Sequence, residues 1–156
     1  CDRGAIVVLE LKMKILLNVS LSSLPFVVCD AAGRILRTGS APGQMIDLQA
    51  QSGELVFAGT AGPNDFISDP TGAAEAVPRP ASPVTIDKTT VQADATDAVT
   101  LANVGAGATV MVSGPVGGSS VGDGTPVALT FEAAGQYVVT VQHFPDLDFM
   151  AVVDAT

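Results

Sequence analysis

The chain has one histidine, His143, followed at once by Phe144-Pro145. One imidazole excludes a multi-His metal site within a single copy, and no nucleophile motif accompanies it. The residue reads as a loop position at a strand end. Two carboxylate pairs, Asp94 with Asp97 and Asp146 with Asp148, could each lend oxygens to Ca²⁺. That ion takes about six to eight ligands, and neither pair sits in an Asp-x-Asp-x-Asp-Gly loop. Gly114-Pro115-Val116-Gly117-Gly118 is glycine-rich, but no Lys and no helix follow it as a phosphate loop requires. Asn18-Val19-Ser20 matches a glycosylation sequon, which matters only in a eukaryotic secretory setting. The expectation is therefore no catalytic residues, no metal and no cofactor.

What remains is chemistry of contact. Arg34 and Arg37 bring positive charge to a hairpin in the first half, with Arg79 further along. Phe144-Pro145-Asp146-Leu147-Asp148-Phe149 puts two aromatic rings and a Leu in a loop near the C-terminus. Arg34, Arg37, Phe144 and Phe149 are the candidate partner-binding residues, although the loop could equally plug the end of a core.

Charge narrows the class of partner. The formal net charge is −9, and residues 81–156 hold eight acids against one base, Lys88. Such a surface repels nucleic acid and anionic lipid. No apolar run reaches the roughly 18 to 20 residues that span a bilayer, so membrane insertion is not expected. Two cysteines, Cys1 and Cys29, are too few for a disulfide scaffold, and Cys29 in Phe26-Val27-Val28-Cys29 reads as a small buried hydrophobe. Met13-Lys14-Ile15 has the form of a translation start. The stretch from there to Val28 makes a poor signal peptide, because Asn18 and several serines interrupt its apolar core. It reads instead as strand.

The elements that would hold these residues are short. The chain is 47% apolar, mainly through Ala and Val, and its sixteen Gly and ten Pro punctuate it throughout. That pattern favours strands joined by turns over long helices. In the first half, strands are expected over 6–11, 15–21, 24–30, 34–38 and 54–58, with a last short one at Phe66 and Ile67. Gly33 supplies the positive φ of a hairpin loop between the third and fourth. Met45, Ile46 and Leu48 form a short apolar piece, and Asp69-Pro70-Thr71-Gly72 is a turn. Three prolines at 78, 80 and 83 mark a linker over 78–83. It divides an N-terminal β-rich attachment domain, 1–77, from a second domain, 84–156. In the second domain seven strands are expected, over 84–87, 90–93, 98–102, 108–113, 127–131, 136–142 and 149–153. Alternating apolar positions such as Val99 and Leu101, or Val110 and Val112, give each strand one inward face. No helix is expected. The fold class is all-β, a hairpin-rich domain followed by a sandwich.

Ala134-Gly135-Gln136-Tyr137-Val138-Val139-Thr140-Val141 resembles the penultimate strand of immunoglobulin-like domains. The resemblance implies that Tyr137, the one Tyr, is structural, with a buried ring and a hydroxyl bonded to backbone at the strand corner. The paired cysteines and core Trp of antibody domains are absent. In the first half, Asp30-Ala31-Ala32-Gly33-Arg34-Ile35-Leu36-Arg37-Thr38-Gly39, then Gly53-Glu54-Leu55-Val56-Phe57-Ala58-Gly59, then Pro78-Arg79-Pro80, resembles small tail- and fibre-associated virion proteins of tailed bacteriophages. Residues 86–94 resemble the opening of Ig-like modules appended to such proteins. The resemblance runs from about Val27 to the end, and it implies a non-enzymatic virion component. Its N-terminal half would attach to tail, baseplate or fibre proteins, in a homo-oligomer or multi-copy assembly, and its acidic module would project. The alternatives are a capsid decoration protein, or a module of a bacterial cell-surface adhesin that meets a host-surface ligand outside the cell.

Overall fold

The computed structural model describes residues 22–156. The strands expected over 6–11 and 15–21, like Cys1, Met13 and Asn18, lie outside the described residues. The described chain is all-β, and its only helical pieces are two single 3-10 turns. It divides into two compact units that meet in sequence between Pro78 and Arg79.

The N-terminal unit is built on β1 (Ser23–Cys29), which lies between β2 (Ile35–Pro42) and β3 (Leu55–Ala58), antiparallel to both. The β1–β2 hairpin turns where the Asp30 carboxylate accepts the backbone N–H groups of Ala32 (2.9 Å) and Arg34 (3.0 Å). Gly33 there has φ +87°, a conformation a side chain disfavours. Beyond the turn the register shifts, so that Val28 faces Arg37 and Cys29 faces Ile35, leaving Leu36 as the extra residue of a bulge.

The uninterrupted run 26–29 has a physical reason, since β1 is covered on both faces. Phe26 and Val28 pack with Ala41 and Ile46 on one side. Val27 and Cys29 pack with Ile67 on the other. Ile46 comes from the short apolar piece between β2 and β3, which folds as a pair of 3-10 turns (Gly43–Met45 and Asp47–Gln49). Ile67 comes from a two-stranded ribbon of β4 (Asp65–Ser68) and β5 (Glu75–Pro78). Sequence pattern did not anticipate β5. Pro78, placed in the linker from sequence, is its last residue, paired with Asp65 at a ribbon end where a missing N–H is tolerated.

The C-terminal unit is a sandwich. Its strands are β6 (Thr85–Ile86), β7 (Thr90–Val91), β8 (Ala98–Ala102), β9 (Thr109–Ser113), β10 (Gly118–Val121), β11 (Val127–Thr130), β12 (Gly135–Gln142) and β13 (Phe149–Ala155). One sheet runs β10-β9-β12-β13-β7 and the other β11-β8-β6. The entry strand is split, so that β6 joins one sheet antiparallel while β7 crosses to the other and pairs parallel with β13. This is the strand arrangement of immunoglobulin-like domains, two sheets, antiparallel except for the β7–β13 pair, around one interior. The inner faces share a single apolar cluster that includes Val99, Leu101, Val110, Tyr137, Val139, Val141 and Val153. The short β10 had no apolar alternation to betray it, and all four of its residues are exposed.

Candidate functional site

Tyr137 is 1% exposed, and its hydroxyl donates to the Ala133 carbonyl at 2.9 Å. Its ring lies 4.4 Å from that of Phe131, centroid to centroid. This is a tyrosine corner, closed by a bond to backbone a few residues upstream of the strand. Two residues on, where antibody domains carry a disulfide cysteine, stands the fully buried Val139. The apolar interior here does without that cross-link.

The loop between β12 and β13, residues 143–148, gathers most of the candidate side chains. Arg79, at the start of this unit, reaches into it. Its Nε donates to the Pro145 carbonyl at 2.9 Å, and its Nη2 donates to the Asp146 carbonyl. The same nitrogen lies 3.4 Å from Asp148 Oδ1, and the guanidinium carbon stands 5.8 Å from the centre of the Phe144 ring. The neighbouring Pro80 carbonyl accepts the Leu147 N–H at 2.8 Å. Gln142 Nε2 donates to Asp148 Oδ2 at 2.8 Å, and His143 Nδ1 lies 3.3 Å from Asp146 Oδ2. The His143 ring also sits against Gly105, where a Cβ would come within 2.8 Å of it. Residues 79 and 80, read from sequence as linker, thus fasten this loop. Phe149 is half-buried against the core cluster, and Phe144 lies half-buried near the guanidinium. The loop is clamped by Arg79 and Pro80, with several polar groups around it.

In the N-terminal unit the two arginines part company. Arg34 is exposed at the hairpin turn. Arg37 points to the face that carries the 3-10 turns. Its Nη1 and Nη2 donate to the two Glu54 oxygens at 2.8 and 2.7 Å, and Nη2 also donates to the Gln49 carbonyl. Glu54 Oε2 takes the Gln51 N–H as well, at 2.8 Å. With the Arg37 guanidinium first and the Gln51 amide second, the Glu54 carboxyl is held down to about 2. This forked pair ties the segment over residues 43–54 to the sheet. Neither Glu54 nor Gln49 was marked by the sequence, because strand pattern does not show that the chain folds back there.

The paired acids are employed in the same way. Asp94 Oδ1 accepts the N–H groups of Thr96 and Asp97, both at 2.8 Å, which keeps its carboxyl below the usual range. Asp97 is lowered first by the Lys88 ammonium, with which it pairs, and then by the Gln92 amide. Asp87 is lowered by the Thr100 N–H and Asp123 by Thr125. Most of the acids that gave the module its charge act as fasteners of turns. Among the described residues, no group of three or more His, Cys, Asp or Glu is placed so that it could hold a metal ion. Cys29 is fully buried, and burial first, then Asp30, pushes its thiol up, so it stays in the less reactive protonated form.

A groove in the sandwich is open to solvent. About 410 Å³ in volume, it runs between β11 and the β9–β10 hairpin, lined by Val112, Val116, Leu129, Phe131, Glu132 and Tyr137 among others. It marks the mouth of the sandwich, where β11 and β10 are edges of their sheets. No helix among the described residues is long and apolar enough to cross a membrane.

No family model matches the chain, and no curated protein matches it. Among solved structures it is similar to a glycosyl hydrolase family 2 member from Bacteroides cellulosilyticus, at 13% identity and a TM-score of 0.33. That likeness covers 85% of this chain and 21% of the other, so the chain spans about a fifth of that protein's length.

Proposed function

We propose that this chain is a non-enzymatic structural component of a tailed-phage particle. Its N-terminal unit is held on tail, baseplate or fibre proteins, and its acidic Ig-like module is presented to the surroundings. The observation that most favours a structural role is how the polar side chains are spent. Arg37 with Glu54, Arg79 with the 144–148 loop and Lys88 with Asp97 all fix backbone to backbone. A catalytic site needs reactive groups aimed at a common point in a cleft, whereas here they are directed into turns. The virion assignment rests on the order of the sequence motifs in the first half. Attachment is assigned to the exposed apolar side chains Leu24, Leu36, Met45 and Leu48 of the N-terminal unit, with Arg34 at the hairpin turn beside them.

The test is co-purification of the full chain with particles, read by mass spectrometry, together with rebinding of purified variants. Arg34→Glu and Leu48→Asp are expected to weaken rebinding, while Glu132→Lys in the sandwich leaves it unchanged. Absence of the chain from purified particles would remove the virion reading and favour the adhesin module.

A further inference from the structure

A sheet edge is a row of main-chain donors and acceptors without a ladder partner, and proteins usually blunt it with very short strands, charge, proline or a bulge. The sandwich has four such edges. Two are blunted by brevity, since β6 and β7 are two residues each. The other two, β10 and β11, are four residues each, carry no charge and no proline, and pair with their inner neighbours without a register shift. The groove of about 410 Å³ opens between them. The backbone of β11 is turned so that half of its groups face this opening. Asp87 N–H bonds to the Thr100 carbonyl at 3.2 Å, and Thr100 N–H to the Asp87 carboxylate at 2.8 Å, so Thr100 directs its main-chain groups to the β6 side. Its neighbours Val99 and Leu101 direct theirs to β11, where the register sets them opposite Leu129 and Val127. Ala128 and Thr130 therefore point their N–H and C=O groups out at the free edge. The side chains mark the same gap. Leu129 and Val112 pack against the core cluster yet stay partly exposed, and the groove reaches the Phe131 and Tyr137 rings.

We propose that an extended, basic segment of a partner protein adds to β11 as one more strand and lays alternate apolar side chains into the groove. Geometry selects an extended occupant. Main-chain groups spaced along an edge are answered by another extended backbone, and every second side chain of that backbone then meets the apolar lining. A compact ligand would leave the edge unpaired. Charge selects among extended segments. Glu132 lines the groove and no basic side chain does. Residues 81–156 hold eight acids against one base, and that base, Lys88, is paired with Asp97. The complementary segment therefore carries lysine or arginine beside its apolar positions, and an acidic one is repelled. Four residues of edge, about 13 Å long, suit a recognition segment of about five to seven residues. The inference goes beyond the proposed function, which places attachment on the other unit. Its test needs no particle, so either can fail while the other stands.

Fluorescence anisotropy of short labelled peptides against the full chain reads this directly, and amide chemical shifts of the chain locate the contact. The probe is a peptide of alternating valine and threonine with a lysine at each end. It is expected to saturate below about 1 mM, with its largest shifts at residues 128–132. The same peptide ended in glutamates should bind on the order of tenfold more weakly, and Glu132→Lys should narrow that gap. Ala128→Pro, which deletes an outward N–H and no ladder bond, should weaken binding while a thermal melt shows the chain still folded. Two further peptides need no change in the protein, and carry N-methyl groups on either the valine or the threonine amides. Since only one edge of an added strand meets β11, one of them should bind like the parent and the other lose about tenfold or more. Equal affinity for the two methylated peptides would overturn the proposal. So would absence of saturable binding, shifts centred away from β11, or a preference for the glutamate ends.

Discussion

The two units solve the same problem with different interiors. The sandwich encloses one cluster of thirteen buried residues contributed by both sheets. Among the described residues of the N-terminal unit, the buried side chains fall in two small clusters on opposite faces of one three-stranded sheet. In the sandwich each strand presents alternate residues to a shared core. In the N-terminal unit β1 presents every residue from Phe26 to Cys29, and the covering layers are a pair of 3-10 turns and a two-stranded ribbon. Point fastenings tie these described covering layers to the sheet. The Arg37–Glu54 fork anchors one layer. The bond from Ile67 N–H to the Gly33 carbonyl, 2.8 Å, anchors the other. The sandwich shares one interior among its strands; in the described part of the other unit, single bonds tie each covering layer to the sheet it buries.

The largest expected effect is in the sandwich. Tyr137→Ala removes the biggest fully buried side chain, with its partner Phe131 and its bond to Ala133, and should cost about 3–5 kcal/mol. Hydrogen exchange resolved by residue is the measurement, with protection lost across 79–156. Unchanged protection there would mean that burial is not what holds this unit.

Gly33→Ala strikes the other side of the comparison. A Cβ would stand 2.0 Å from the Ile67 carbonyl oxygen, at a φ that side chains avoid. The ribbon would have to shift off Val27 and Cys29, for a loss of about 2–4 kcal/mol. Exposure of the Cys29 thiol to a maleimide reagent reports it. A Cys29 that stays unreactive in this variant would show that the ribbon is held by more than this contact.

The smallest effect separates the units by acid. Glu54 is held ionised in the folded chain down to about 2, against an ordinary 4.5. A carboxyl depressed by folding adds stability that is whole above its unfolded value and fades as pH falls toward the folded one. The N-terminal unit should therefore lose this contribution between about pH 4.5 and 2. Glu54→Gln should remove that portion of the acid dependence while weakening the unit at neutral pH. An acid profile of residues 22–78 that is identical in both proteins would place their acid sensitivity elsewhere.

Where one face of a strand was buried, the sequence was easy to read. Val99 with Leu101 and Val110 with Val112 alternate because only one side of each strand meets the core, and Tyr137 stood out through its Gly-x-Tyr setting. The hairpin over residues 24–38 was legible from Gly33 between two strand-forming runs. Elsewhere the signal was erased by geometry. The four exposed residues of β10 have no core to alternate toward. Pro78 hid β5, because proline was read as linker when it sat harmlessly at a ribbon end. The segment of the two 3-10 turns buries one side chain, Ile46 at their junction, too few to make a period. Arg37 was legible as a cation on a hairpin, but its commitment depends on Glu54 seventeen residues away, and only the fold brings them together. Arg79 shows the same limit over a longer span, bonded to residues 66 and 67 positions further on.

The crossing of β7 onto β13 bears on how this module would carry load. Asp154 N–H bonds to the Thr89 carbonyl at 2.9 Å, Thr156 N–H to Val91 at 3.0 Å, and Ala93 N–H to Thr156 at 2.8 Å. Because the two strands run parallel, tension applied at Arg79 and at Thr156 would drag them in opposite directions along their common axis. All three bonds would then be strained together in shear, rather than peeled one after another. A segment this short therefore acts as a mechanical clasp, and single-molecule pulling from these two points should meet its main resistance there. Replacing Ala93 with Pro, which deletes one of the three donors, should lower the force at which the clasp gives way.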